Sequence, residues 1–296
     1  MGGNSMKKIA LVTNFNIPDK ANSALTVANY LIKLGCKILV SQYSKERVLS
    51  MKKYRGDIYF LPVEKLYDEA EVVIALGGDG TIMDCAKRIA ARGKPVLGIN
   101  LGHLGYMAEL EMSELESLSR LVDGDFEIDE RAMINVEVYN SKGVKKMRAS
   151  ALNDAVISNG SVARIIDLEL YEGGTPITAY RADGLIVSTP TGSTAYSMSA
   201  GGAIADPRVK CLCVTPICPH SLVARPLIFP ENAEIEVKNI CVREKSLYLT
   251  IDGRSNFELY REDVVKITKS ETCAKLIRMK ERSFYDRLRQ KMRNNY

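Results

Sequence analysis

The chain has 296 residues, 46% of them apolar and 26% charged, which is a length for about two domains and an ordinary balance for a folded globular protein. No apolar run approaches the roughly 20 residues that span a bilayer, and residues 1–8 lack the apolar centre of a signal peptide, so a cytoplasmic protein with no membrane partner is expected. The net charge of +5 invites nucleic acid until it is located: eight Lys and Arg between 275 and 293, against Glu281 and Asp286, give the tail +6 and leave −1 for the rest, so no nucleic-acid partner is expected.

Residues 8–13 read as a first strand, a loop runs through Pro18, and residues 24–33 form a helix that Gly35 ends. Residues 36–40 are a second strand. Residues 45–53 and 63–67 are helical and lead to Val72-Val73-Ile74-Ala75-Leu76, apolar throughout and therefore a strand buried on both faces, as in a parallel sheet. That strand empties into Gly77-Gly78-Asp79-Gly80-Thr81, after which Ile82, Cys85, Ala86, Ile89 and Ala90 return at helical spacing.

In an open α/β sheet, ligands gather beyond the carboxyl ends of the strands, and the amides opening the next helix favour phosphate oxygens. Residues 77–81 are therefore a phosphate-facing turn. Asp79 is out of character there: a carboxylate among phosphates holds a divalent cation, accepts a hydroxyl proton, or merely caps the helix. The first two uses belong to phosphoryl transfer. No Gly-Lys-Ser/Thr follows, which excludes a Walker loop.

Residues 95–100 are a further strand, followed by Leu101-Gly102-His103-Leu104-Gly105-Tyr106, in which His103 either touches phosphate or is an ordinary hydrogen-bonded loop residue. Ser113 and Glu116 have capping-box spacing before a short helix that Gly124 ends. Strands alternating with helices make 1–124 a Rossmann-like parallel α/β domain. The texture then changes. Alternation at Ile134, Val136 and Val138, a hairpin signal at Asn140-Ser141-Lys142-Gly143, and strand patterns at 166–170, 234–237, 246–251 and 264–267 make 125–270 an all-β domain. Residues 271–296 read as a basic C-terminal helix packing back through a stripe of Phe284, Leu288 and Met292, its charged face either solvated or meeting an anionic partner. Seven cysteines, mostly within apolar runs and odd in number, point to buried thiols, and Cys211-Leu212-Cys213 has no second pair at zinc-ligand spacing.

Two stretches of the all-β domain carry chemistry. Asn153-Asp154 sets an amide and a carboxylate inside an apolar strand segment, where ribose hydroxyls would serve as partners. Residues 181–197, Arg-Ala-Asp-Gly-Leu-Ile-Val-Ser-Thr-Pro-Thr-Gly-Ser-Thr-Ala-Tyr-Ser, follow a strand with hydroxyls and amides suited to a purine edge and ribose, with Tyr196 as a stacking face; an elaborate turn fits the same composition.

With these motifs in view the sequence resembles the bacterial NAD kinases. The resemblance rests on Gly-Gly-Asp-Gly-Thr at 77–81, Asn153-Asp154, Asp-Gly-Leu-x-x-Ser-Thr-Pro-Thr-Gly-Ser-Thr-Ala-Tyr-Ser at 183–197, Asn-Leu-Gly-x-Leu-Gly at 100–105, Gly201-Gly202 and Asp252-Gly253, and covers residues 7 to 270. It implies an N-terminal α/β domain, a C-terminal β-sandwich with a cleft between them, homodimers or homotetramers, and phosphorylation by ATP or polyphosphate, with a divalent cation such as Mg²⁺, of the 2′-hydroxyl of the adenosine ribose of NAD. No residues are assigned as resident metal ligands. Carried over by position, Asp79 would accept the hydroxyl proton and Gly80 would meet the phosphates. Asn153 and Asp154 would hold ribose and adenine, Arg181 and Asp183 would order the site, Thr194, Ala195, Tyr196 and Ser199 would enclose NAD, and Arg164 would contact the nucleotide. Asp84 and Tyr106 depart from the family pattern, and the tail beyond Lys275 belongs to no motif. Two other readings share parts of this evidence: a lipid or sugar kinase using only the glycine-rich turn, and a non-catalytic dinucleotide-binding regulator acting through the tail.

Overall fold

The computed structural model describes residues 8–102, 105–160, 165–242, 247–280 and 283–294, without the side chains at 255 and 294. The sequence expectations for His103 and Arg164 lie outside the described residues. Two units form, Met1–Glu130 with Ala274–Tyr296, and Arg131–Cys273.

The elements of the first unit are β1 (Lys8–Val12), α1 (Pro18–Lys33), β2 (Lys37–Ser41), α2 (Lys45–Leu49), β3 (Ile58–Leu61), α3 (Val63–Glu69), β4 (Val72–Gly77), α4 (Asp79–Ile89), β5 (Pro95–Asn100), β6 (Leu110–Glu111), α5 (Leu118–Asp123) and β7 (Glu127–Arg131). All six residues of β4 are buried, as an apolar strand covered on both sides requires. β4 runs parallel to β1 and β5 on its two sides, and β1 is parallel to β2. The chain thus winds outward in both directions from the β1–β4 boundary, the place where open α/β sheets collect ligands. α1 covers this sheet with Ala21, Ala24, Leu25, Ala28 and Leu31. It starts at Pro18 rather than at Ala24, because proline breaks a helix interior but suits its first turn. The short strand β3 was not legible in the sequence; it extends the sheet edge beside β2.

The second unit comprises β8 (Ile134–Tyr139), β9 (Lys145–Ala151), β10 (Asp154–Asn159), β11 (Ile166–Glu172), β12 (Thr175–Ala182), β13 (Gly184–Ser188), α6 (Tyr196–Ser199), β14 (Cys211–Ile217), β15 (Leu227–Pro230), β16 (Ile235–Asn239), β17 (Leu247–Ile251), β18 (Ser255–Leu259) and β19 (Val264–Lys269). They form two antiparallel sheets, ordered β15-β14-β13-β10-β17-β18 and β12-β11-β16-β19-β8-β9. Ile134, Val136 and Val138 from one sheet and Ile157, Leu185, Val187 and Leu249 from the other fill a single core, so the unit is a β-sandwich. The β8 sheet alternates buried and half-buried residues, whereas β13 and β14 are buried along their whole length. Their second face is covered by the 189–205 segment, with Ala200 against Val156, Ile186 and Ile217, and Ala205 against Cys211 and Cys213.

The chain then returns to the first unit as β20 (Ala274–Arg278) and α7 (Phe284–Asn294). Residues 271–296, read from sequence as helix alone, therefore begin with a strand, which lies parallel to β5 and gives the order β3-β2-β1-β4-β5-β20-β7. Five residues, two of them charged, are too few to show a period, and only the open edge of β5 makes them a strand. The docking stripe of α7 differs too: Phe284 and Lys291 sit at the Tyr106 ring, while Leu288 and Met292 line an outward hollow with Tyr285. The capping box before α5 is formed by Glu111 and Glu114 instead of Ser113 and Glu116, the Glu111 amide donating to Glu114 Oε2 at 2.9 Å. Among the described residues no helix is long and apolar enough to cross a membrane.

Candidate functional site

In the first unit the chemistry gathers where β4 becomes α4. Gly78 is the N-cap residue, in extended conformation, so the cap position falls on a glycine and leaves the Asp79 carboxylate for other use. Its Oδ2 accepts from the Tyr106 amide at 2.9 Å and its Oδ1 from the Met107 amide at 3.0 Å. The side chain thus anchors a neighbouring loop and not its own helix, which disposes of the simple capping role. Gly105 must be glycine for this contact, since a Cβ there would lie 1.9 Å from Asp79 Oδ1. Gly77 is similarly pressed by the Thr81 hydroxyl, 2.6 Å from where its Cβ would be, so the turn closes tightly on the first turn of α4. Gly78 and Gly80 are exposed and Asp79 half-exposed, so the turn faces solvent. Asp84 is paired with Arg88 at 3.9 Å and does not add a naked charge behind Asp79. Both line a cavity of about 260 Å³ with Thr13, Ser41, Tyr67 and Thr81 at the carboxyl ends of β1 and β2.

The loop that meets Asp79 is built by its own sequence. Asn100, buried at the end of β5, donates from Nδ2 to the Gly102 carbonyl at 2.6 Å and accepts from the Gly102 amide at 3.3 Å. Glu109, its side chain fully buried, accepts from the Met279 and Lys280 amides at 2.9 and 2.8 Å.

In the second unit Asn153, Asp154, Ala195 and Tyr196 surround one cavity of about 350 Å³, together with Val156, Ser158, Thr250, Asp252 and Gly253. Asp252, which the sequence reading noted only as part of a motif, is the organiser. With a left-handed backbone (φ 50°), it turns its carboxylate onto three successive amides, Leu152 at 3.1 Å, Asn153 at 2.8 Å and Asp154 at 3.2 Å. Asp154 is itself buried, and burial followed by the Asp252 charge pushes its acid up to about 7. It can therefore donate or accept a hydrogen bond near neutrality. Tyr196 is half-exposed and offers its ring to the cavity. A signal for Asp252 existed in the Asp-Gly pair closing a strand, but its partners lie about a hundred residues away.

Most hydroxyls of 189–197 are fasteners within the loop. Thr189 donates to the Leu152 carbonyl at 2.6 Å, Ser193 to the Pro190 carbonyl at 2.6 Å, Thr194 to the Thr191 carbonyl at 3.2 Å, and Ser197 pairs with Thr215 at 3.0 Å. Gly192 lets the loop lie on Asn153, whose carbonyl oxygen is 2.1 Å from where a Cβ would stand. Of the two readings of this stretch, these bonds are those of the elaborate turn: the hydroxyls shape the wall that presents Ala195 and Tyr196. Thr194 is buried in that wall, and Ser199 is exposed at the end of α6. Arg181 and Asp183 do not line the cavity; Arg181 is exposed on β12 beside Asp167 at 3.9 Å, and the Asp183 amide donates to the Ile217 carbonyl at 2.9 Å. Among the described residues no three His, Cys, Asp or Glu side chains converge as a metal site.

A Rossmann-ordered sheet with a solvent-facing Gly-Gly-Asp-Gly turn, and a β-sandwich with a polar cavity holding a neutralisable acid, define a phosphoryl-transferring enzyme of the kinase class. Residues 9–126 match the family model of the ATP-NAD kinase N-terminal domain and residues 152–279 that of the C-terminal domain. The NAD kinase of Moorella thermoacetica is 39% identical over 97% of this chain and 90% of its own length, and that of Citrifermentans bemidjiense 38% identical over 97% and 99%. The chain belongs to the NAD kinase family. Its fold is that of yeast NADH kinase, solved in complex with NADH (TM-score 0.87, 22% identity, 99% of this chain and 89% of that one). It is also that of an Archaeoglobus fulgidus NAD kinase solved with ATP (TM-score 0.71, 23% identity, 97% and 98%).

Proposed function

We propose that this enzyme transfers the γ-phosphoryl group of ATP to the 2′-hydroxyl of the adenosine ribose of NAD, giving NADP and ADP. The observation that carries this reading is the Asp79 carboxylate, spared from capping by Gly78 and fixed by the amides of Tyr106 and Met107 at the mouth of a phosphate-favouring helix. Each of its oxygens accepts one of these bonds and keeps a second lone pair. In the reaction the 2′-oxygen bonds to the γ-phosphorus, the bond from that phosphorus to the bridging oxygen of ADP breaks, and the hydroxyl proton passes to Asp79. Gly80 leaves room for phosphate oxygens beside the α4 amides.

Asp154 and Asn153 hold ribose and adenine groups, Tyr196 gives the base or ribose a flat wall, and Thr194 and Ala195 complete the enclosure. Arg181, Asp183 and Ser199 lie outside that cavity and are assigned to the nucleotide on the family resemblance alone, as is Arg164. A divalent cation, Mg²⁺, supplies charge neutralisation of the donor phosphates when bound. The lone carboxylate of Asp79 suits an ion that arrives on the nucleotide, because Mg²⁺ keeps water and phosphate ligands and needs only one or two protein carboxylates. Seven cysteines standing as thiols suit the cytoplasm. Leu222 and Val223, 93% and 84% exposed, suit a homo-oligomer of two or four chains.

The test incubates the purified protein with NAD, ATP and Mg²⁺ and follows NADP with an NADP-specific dehydrogenase. Wild type should turn over, and Asp79→Asn should bind NAD and leave it unphosphorylated. An Asp79→Asn enzyme at the wild-type rate would remove Asp79 from the chemistry.

A further inference from the structure

The two residues that hold Asp79 are themselves held by the tail. Tyr106 gives its amide to Asp79, and its carbonyl accepts from Arg287 Nη1 of α7 at 3.1 Å. Met107 gives its amide to Asp79, and its carbonyl accepts from Arg278 Nη1 of β20 at 3.1 Å. Both arginines also reach Glu109 Oε2, Arg287 at 2.7 Å and Arg278 at 3.3 Å, while Asp129 takes Arg278 Nε at 3.0 Å. The Glu109 side chain is fully buried, and those of Arg287 and Arg278 are only 9% and 11% exposed, so this is an interior frame and not a solvated surface pair. On the same face of α7, Phe284 stacks against the Tyr106 ring at 6.4 Å between centroids and Lys291 Nζ stands 4.3 Å from the ring centre. The charge that looked in sequence like a solvated face or an anion site is therefore partly spent on one loop.

We propose that the C-terminal tail is a brace for the active-site carboxylate, with Arg287 as a positioning residue: Arg287 of α7 and Arg278 of β20 hold the carbonyls of Tyr106 and Met107 from behind, so that the amides of this segment present a fixed cradle to Asp79. The brace rests on the reading of Asp79 as proton acceptor. It acts through the Asp79 cradle, so its effect falls on turnover and not on the affinity for NAD. Arg287 takes the carbonyl with Nη1 and the carboxylate with Nη2, two donors held at a fixed spacing in one plane, which a single ammonium on a flexible stem does not reproduce.

The test is the split between kcat and KM in the full-length enzyme. For Arg287→Ala, kcat should fall about 10- to 100-fold, the scale on which an ångström of misplacement acts, with KM for NAD within about twofold of wild type. Arg289→Ala, an exposed residue of the same helix paired with Asp286, should keep the wild-type rate and serves as the control for tail charge alone. Should Arg287→Ala not fold, Arg287→Gln keeps part of the aliphatic stem and a polar end and is measured the same way. A folded Arg287 variant with wild-type kcat, or one in which only KM rises, overturns the brace. Asp79→Asn separates the two levels: inactive Asp79→Asn beside fully active Arg287→Ala removes the brace alone, whereas fully active Asp79→Asn removes the reading beneath it.

Discussion

Replacing Gly105 with alanine puts the proposed chemistry under direct steric strain. The added Cβ would lie 1.9 Å from Asp79 Oδ1, 2.3 Å from its Cγ and 2.4 Å from Oδ2, where 3.0 Å is the closest approach that real Cβ atoms show. The carboxylate or the loop must therefore yield by about 1.1 Å along the Oδ1 contact alone. The loop is anchored by Asn100, Glu109 and the tail, and Asp79 is the first residue of a helix, so the carboxylate rotates away and loses its amide partners. A displacement of this size in a catalytic group costs on the order of 100-fold in rate, about 2.7 kcal/mol of barrier. Binding of NAD should survive, since Asn153, Asp154 and Tyr196 line their cavity in the other unit. The assay is NADP formation at saturating ATP and NAD, with calorimetric titration of NAD in parallel. A Gly105→Ala enzyme within threefold or so of the wild-type kcat would refute the assignment of Asp79 and its cradle.

Two further outcomes follow from the second unit. Asp154 stays protonated in the folded protein up to about pH 7, while in the unfolded chain it ionises near 3.8. Between those values unfolding releases a proton, so stability falls as pH rises, by as much as about 1.4 kcal/mol per unit, and levels off above 7. Asp154→Asn should lose that slope; melting temperatures of both proteins between pH 5 and 7 check it, and parallel slopes would contradict the neutral acid. Asp252→Ala removes the acceptor of three amides and should cost about 3 kcal/mol in urea unfolding while weakening NAD binding. An unchanged unfolding midpoint would mean the 152–154 segment holds itself.

Local chemistry alone determined a good deal here. The buried strand β4, the glycine-rich turn and α4 were legible because apolar continuity, glycine and helical spacing all lie within twenty residues. Alternation likewise announced the sandwich strands, and the 183–197 motif marked the wall of the cavity. The roles within those stretches were not legible. Hydroxyls at 189, 193 and 194 look alike in sequence whether they meet ligand or carbonyl, and only packing turned them inward. Tertiary structure alone decided that Asp252 grips amides about a hundred residues earlier, that five residues after the sandwich become a strand beside β5, and that Arg278 and Arg287 close on Glu109 some 170 residues before them. Such pairings depend on which backbone groups remain unsatisfied once the sheets have formed. A hydrophobic period specifies which face an element buries; it carries no information about which distant carboxylate will meet it.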